Sequence, residues 1–412
     1  MEFINSIEPC VSSYRFGLHR KELQKQILNY LAHVLTKSSI GSTANRSTVE
    51  MDLNHIKIST ESENSLKNGA SEIVSLIRPD WGSKTKFIHK IFSDGLTNKL
   101  VGVYTQGQKS KMILVRVYGL NSDLMIDREK EIQNMKLLHK HGCGSELYAT
   151  FENGIAYEYL SGTPLTVDSV RAPSVFPKVA TAIAKMHCIK PPGQIEPCIW
   201  KLLRKFQKLS PEGFPDDPEK DAYFKKAIPF TKSELAIEID KMEELLGGKD
   251  ILSKSRIVFS HNDLMPTNII GGLEGCSSTD AMEVSMIDYE YGDWNYREFD
   301  LANHFGEFVG LPDQETGKLN YDKYYPSKDL QLKWLAEYLN GVKKFETGRE
   351  KSASEKEVEE LHDMIKRFNP LPHLLWGIWS LIQSKYSDID FDYIDYGMQR
   401  LEQYIKHSQN MM

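Results

Sequence analysis

Between Val258 and Glu307 the chain twice runs from a short apolar, β-prone segment into carboxylates, and that repetition restricts the fold more than any other feature. The first run, Ile257-Val258-Phe259, turns polar at His261-Asn262-Asp263 and reaches an amide at Asn268. After a Gly/Ser-rich turn, Val284-Ser285-Met286-Ile287 delivers Asp288 and Glu290. Two such strands lying side by side in a sheet would bring Asp263 and Asp288 close together. An ordinary polar turn explains an isolated Asp-Leu pair, but it is a poor account of HxDxxxxN followed by IDYEY. The constellation suits phosphoryl transfer: a magnesium-bound triphosphate takes hard oxygen ligands, and the attacking hydroxyl needs a positioned acceptor. Asp263 fits the second task and Asn268 and Asp288 the first, with Glu290 as a helper to the metal.

The stretches HNDLMPTNII and MIDYEYGDWNYREFDLANHFGE resemble the choline/ethanolamine kinase family, which shares a protein-kinase-like fold with aminoglycoside phosphotransferases. The first stretch is common to that superfamily. The second, with Asn295-Tyr296-Arg297 and Phe299-Asp300-Leu301-Ala302-Asn303-His304-Phe305, is far more restrictive. The resemblance begins near Met51 and implies an α+β, two-lobed protein-kinase-like fold. Residues 51–160 would form a nucleotide-binding N-lobe, an antiparallel sheet with one main helix. Residues 161–412 would form a larger, mostly helical C-lobe for catalysis and acceptor binding. Residues 1–50 read as an N-terminal extension, with one amphipathic helix candidate at 21–35 and a polar linker after it.

The totals remove other classes. A chain of 412 residues with 40% hydrophobic and 26% charged residues has an ordinary globular composition, and its net charge of −6 gives no electrostatic footprint for nucleic acid. Cys10, Cys143, Cys188, Cys198 and Cys276 are odd in number and lack a CxxC spacing, so neither a disulfide framework nor a zinc site is indicated. That usage points to a reducing, cytoplasmic location. No apolar window approaches the roughly eighteen residues of a membrane span, and no secretory signal is visible, so no stable membrane insertion is expected.

Upstream, a helical pattern at 72–77 stops before Pro79, and 87–92 and 100–104 read as strands around Ser93-Asp94-Gly95-Leu96-Thr97-Asn98-Lys99. The loop's N–H groups could cover phosphates, although Asp-Gly is also a routine hairpin turn. By resemblance it is the nucleotide-phosphate loop, with Ser93, Gly95, Thr97 and Asn98 facing the nucleotide. In Met112 to Gly119, alternation sets Arg116 between Leu114 and Tyr118 on one face, where a guanidinium needs an anion. The helix predicted over 127–139 carries Glu131 on the same stripe as Met135 and Leu138, where a carboxylate needs a cation. Pairing the two answers both needs, as a bare structural ion pair or as the phosphate-binding pair of a kinase. The family has arginine at this position, which matches Arg116.

Past a hinge expected at 158–162 the pattern turns helical, with stripes at 175–186, 199–209, 234–246, 330–339, 356–367 and 371–386. His187 reads as a cap or a satisfied core histidine. Trp376 and Trp379, one turn apart in an apolar helix, read by themselves as core. The resemblance makes them walls of an acceptor pocket together with Tyr291, Glu307 and Tyr396, where ring faces and a carboxylate hold a small amino-alcohol cation. A quaternary ammonium asks only for an aromatic cage, whereas a primary one carries N–H donors that need acceptors such as Glu307. The text around 93–100, Asp288-Tyr289-Glu290-Tyr291 and the absence of tryptophan after Glu307 look more like the ethanolamine branch than the choline branch. The implied activity is ATP- and Mg2+-dependent phosphorylation of ethanolamine to phosphoethanolamine, the first step toward phosphatidylethanolamine by the CDP-ethanolamine route. Choline, or both amines, is the alternative acceptor; an aminoglycoside phosphotransferase and a non-catalytic binding protein fit the residues less well. A homodimer is compatible with the family.

Overall fold

The computed structural model describes residues 50–82, 86–92, 99–119, 125–272, 283–387, 389–409 and 411. The helix expected at 21–35 and Ser93, Gly95, Thr97 and Asn98 of the expected phosphate loop lie outside the described residues. Strands β1 (Met51–Leu53), β2 (Ile88–Phe92), β3 (Lys99–Tyr104), β4 (Ile113–Val117), β5 (Leu147–Phe151) and β6 (Gly154–Glu158) form one sheet in the order β1-β5-β6-β4-β3-β2. Four of its neighbouring pairs are antiparallel, as expected, but β1 runs parallel to β5. Three residues carry too little alternation to be read as a strand, so this edge was invisible in the sequence.

The sheet packs against helix α1 (Glu63–Ile77), which is longer than the predicted 72–77 and is a second helix beside the one main helix expected here. Ser62 and Ser65 form a capping box that starts it, while its Asn, Ser and Gly residues weaken the helical signal. Leu66, Ala70, Ile73, Val74 and Ile77 form its buried stripe. Ile113, Val115 and Val117 join that core from β4, which leaves Leu114 and Arg116 on the opposite face of the strand. Helix α2 (Arg128–Lys140) is capped by Asp127, which accepts from Lys130 N, and buries Glu131 on the sheet side.

Beyond β6 the chain is mainly helical, with α3 (Phe176–His187), α4 (Ile199–Leu209), α5 (Pro218–Ala227), α6 (Lys232–Leu246), α7 (Arg297–Glu307), α8 (Lys328–Thr347), α9 (Glu355–Phe368), α10 (Pro370–Tyr386) and α11 (Tyr393–Gln409). Short strands thread this part: β7 (Thr163–Pro164), β9 (Ile269–Gly271) and β10 (Val284–Met286) in one sheet, β8 (Ile257–Ser260) and β11 (Asp293–Tyr296) in another. The side-by-side pairing expected of the two carboxylate-bearing strands is therefore corrected. β8 pairs with β11 in one sheet and β10 pairs with β9 in another, so the two runs do not share a sheet. Helix α7 is buried along its whole length. Its polar residues Asp300, Asn303, His304 and Glu307 fall on one stripe at i, i+3, i+4 and i+7. α10 and α11 approach closely where both carry glycine: a Cβ at Gly377 would lie 2.8 Å from Leu401 Cδ2, and one at Gly397 would lie 3.4 Å from the Gly377 carbonyl oxygen. Among the described residues no helix is long and apolar enough to cross a membrane.

Candidate active site

The loop after β8 is shaped by backbone that only certain residues tolerate. Asn262 (φ 66°) and Asp288 (φ 64°) are the non-glycine residues with positive φ among those described, and Asn and Asp enter that region more easily than other side chains. Asn262 is held there from both ends of its amide, donating to the Tyr291 carbonyl at 2.8 Å and accepting from Asn295 Nδ2 at 2.8 Å. The Asp300 carboxylate, buried in α7, accepts the backbone N–H of His261 at 3.0 Å and of Asn262 at 2.8 Å. His187 Nε2 lies 2.9 Å from the same carboxylate, and its Nδ1 lies 2.9 Å from Tyr338 OH. His187 is thus a satisfied core histidine whose effect reaches the loop through Asp300.

His261 joins the two carboxylate-bearing turns. Its Nδ1 accepts the Asp263 N–H at 3.3 Å, which leaves the proton on Nε2 to donate to the Ile287 carbonyl at 2.8 Å. Burial holds this imidazole below its ordinary pKa, so it is neutral, as that pairing requires. Asp288 follows directly. Asn268 Nδ2 donates to the Asp263 carbonyl at 3.0 Å and to Asp263 Oδ2 at 3.1 Å, and Ile287 N bonds back to the Asn268 carbonyl at 2.9 Å. Asp263, Asn268 and Asp288 are therefore brought together by β9 and a histidine bridge rather than by direct strand pairing.

From the sheet side, Arg116 on β4 reaches the same turns. It forms a buried ion pair with Glu131, and its other terminal nitrogen lies 3.3 Å from Asp288 Oδ1. Burial opposes the guanidinium charge, but Glu131, Asp288 and Glu290 around it hold its pKa above the ordinary value. Glu131 also accepts from Arg128 at 3.0 Å, and Arg128 lies 3.7 Å from Glu290. Burial, with Asp288 next, pushes the Glu290 carboxyl up to about 8. Burial, then the charges of Glu307 and Asp288, also raise Asp263 well above the usual carboxylate range. Carboxylates gathered in this way favour a bound cation.

The donor set fits magnesium. Asn268 spends its N–H donors on Asp263, which leaves Oδ1 free of hydrogen bonds among the described residues, and Asp288 is 41% exposed and, among those residues, ion-paired with Arg116 alone. Both would offer hard oxygens. No group of three or more His, Cys, Asp or Glu side chains forms a metal cage among the described residues.

Beside Asp263 lies a cluster of aromatic rings, with Tyr291 and Tyr396 both close enough to feel its charge. Tyr291 packs edge to face on Trp376 at 5.3 Å, and Trp376 on Trp379 at 5.8 Å. Both indole N–H groups are satisfied, Trp376 Nε1 by Asn303 Oδ1 at 2.8 Å and Trp379 Nε1 by Tyr291 OH at 2.9 Å. Glu307, at the end of α7, was expected to meet a substrate cation together with the rings. It is already paired with Arg400, whose Nη1 donates to Glu307 Oε1 at 2.7 Å and to Tyr396 OH at 3.3 Å. Arg400 escaped the sequence reading, although its i, i+4 spacing from Tyr396 placed both on one helical face. Arg128 was signalled in the same way by its i, i+3 spacing from Glu131, and Asp300 by the polar stripe of α7.

A six-stranded sheet over a helical body, with an arginine-to-carboxylate pair from the sheet reaching the turns of that body, defines a phosphotransferase of protein-kinase-like fold. The family model for choline/ethanolamine kinase matches residues 89–405, and the chain belongs to that family. The sequence is 35% identical over 356 residues to human ethanolamine kinase 1, covering 85% of this chain and 74% of that protein. It is 37% identical over 346 residues to rat ethanolamine kinase 2, covering 82% and 80%. The solved structure of an ethanolamine kinase from Plasmodium vivax is similar with a TM-score of 0.69 at 26% identity, covering 84% of this chain and 90% of that one.

Proposed function

We propose that this kinase transfers the γ-phosphoryl group of ATP to the hydroxyl of ethanolamine, giving phosphoethanolamine for phosphatidylethanolamine synthesis. The observation that supports the reading is the cluster of rings Tyr291, Trp376, Trp379 and Tyr396 with Glu307 close to the Asp263 carboxyl, whose proton affinity burial, and then Glu307, raises. Relatives that carry the name ethanolamine kinase support it. The ammonium rests against ring faces, and one N–H points to the Glu307 oxygen that Arg400 leaves free.

Asp263 orients the acceptor hydroxyl and takes its proton, with orientation the larger part of the effect early in the reaction. Asn268 holds Asp263 in place through its amide N–H, and His261 fixes the spacing to Asp288. Arg116, steadied by Glu131, binds phosphate oxygens. The residues 93–98 are assigned to the phosphate loop by resemblance. Mg2+, held by Asn268 and Asp288 with Glu290 in support, would neutralise charge on the triphosphate. A cytoplasmic site of action accords with Cys143, Cys188 and Cys198 being free thiols, and a homodimer remains part of the reading.

Choline is the second reading, favoured by the ring cage itself, which also suits a quaternary ammonium. Side-by-side kcat/KM values decide. Ethanolamine is expected to exceed choline by about tenfold, the value of one charge-assisted hydrogen bond. Equal values or a preference for choline would overturn the assignment.

A further inference from the structure

The acceptor pocket contains a cation of its own. Arg400 is 1% exposed and sits on α11, yet its bonds run to the pocket walls: Nη1 to Glu307 Oε1 on α7 and to Tyr396 OH, and Nη2 to the Pro372 carbonyl on α10 at 3.4 Å. A guanidinium at this depth stays charged and needs its anion. Glu307 Oε1 is therefore occupied, and no hydrogen bond reaches Oε2 among the described residues. A substrate ammonium arriving at Glu307 meets a half-neutralised carboxylate with one directed oxygen, rather than a bare negative charge.

We propose that Arg400 is a positioning residue for the acceptor: it fixes Glu307 by one oxygen and Tyr396 by its hydroxyl, so that Oε2 is presented to an N–H of the substrate ammonium. This rests on the proposed role of Glu307. Arg400 does not touch the reacting atoms; it acts through the carboxylate. Three consequences separate it from a scaffold ion pair that only holds helices together. Loss of Arg400 acts on the amine and not on the nucleotide, it acts through Glu307, and a point charge restores only part of it, since lysine cannot fork between Glu307 and Pro372.

The test is a double-mutant cycle on the purified full chain, read as KM for ethanolamine and for ATP. Arg400→Met is expected to raise the ethanolamine KM about tenfold or more with the ATP KM within about twofold, the scale of one hydrogen bond to a charged group. Glu307→Gln should do the same, and the double variant should be no worse than Glu307→Gln by more than about twofold, because residues that act through one another are non-additive. Arg400→Lys should fall between wild type and methionine, and it carries the test together with Arg400→Gln if Arg400→Met fails to fold. If Glu307→Gln raises the amine KM while the Arg400 variants leave it unchanged, or the two effects multiply, Arg400 has no positioning role. If Glu307→Gln itself leaves the amine KM unchanged, the acceptor assignment fails, and this inference with it.

Discussion

At the residue scale the account rests on Asp263, its oxygen held 3.1 Å from Asn268 Nδ2 in a loop pinned by Asp300. Asp263→Asn keeps the shape and removes the acceptor of the proton, so kcat should fall by about 10²- to 10⁴-fold with both KM values nearly unchanged. A variant with near-normal kcat and an intact thermal transition would contradict the role. His304 supports a prediction about stability. Its Nδ1 donates to the Leu264 carbonyl at 2.9 Å, and burial depresses its pKa to about 4, against about 6.5 in an unfolded chain. Between those values the unfolded state binds more protons. The contribution of His304 is therefore complete above about pH 6.5 and is lost as pH falls toward 4. The Tm measured from pH 7 to 5 should drop less steeply in His304→Gln than in wild type; parallel curves would show that His304 does not set the slope. His261 and His373, also depressed by burial, act in the same direction.

At the scale of elements, α10 and α11 carry rings proposed to line the acceptor site, and Gly377 and Gly397 let the two helices approach closely, with Arg400 bonded to Glu307 of α7. Trp379→Ala removes a ring and the donor to Tyr291, and it should raise the KM for ethanolamine about tenfold while that for ATP moves by less than about twofold. The reverse order would place the indole elsewhere in the reaction. How much of this was legible follows from what each signal needs. Arg116 and Glu131 were readable because period-2 alternation on β4 and period-3.6 spacing on α2 each left a charge facing inward, and two local patterns suffice to pair them. The aromatic residues and Glu307 came from motif resemblance. The pairing of β8 with β11 was not readable, because four-residue strands with similar apolar content give no register, and the choice of partner is made by tertiary packing. Asp300 and Arg400 were missed for the same reason. Their partners lie far away in sequence, and a buried polar residue declares itself only when the group that satisfies it is seen.

At the scale of the whole molecule, two cores meet at the cleft, and the chemistry depends on their joining. Arg116 crosses from the sheet to Asp288, while Asp263 and the ring pocket belong to the helical body. The chain length allowed a two-lobed molecule, the resemblance implied its fold class and the motif which residues meet, but none of these implied the hairpin and histidine bridge that bring them together. The most direct measurement is 31P NMR of the purified chain incubated with ethanolamine, ATP and Mg2+. The account predicts a phosphomonoester resonance of phosphoethanolamine that grows in step with ADP and grows at least about a hundredfold more slowly with Asp263→Asn. ATP left intact while the nucleotide is bound, or inorganic phosphate released with no phosphoethanolamine formed, would contradict it.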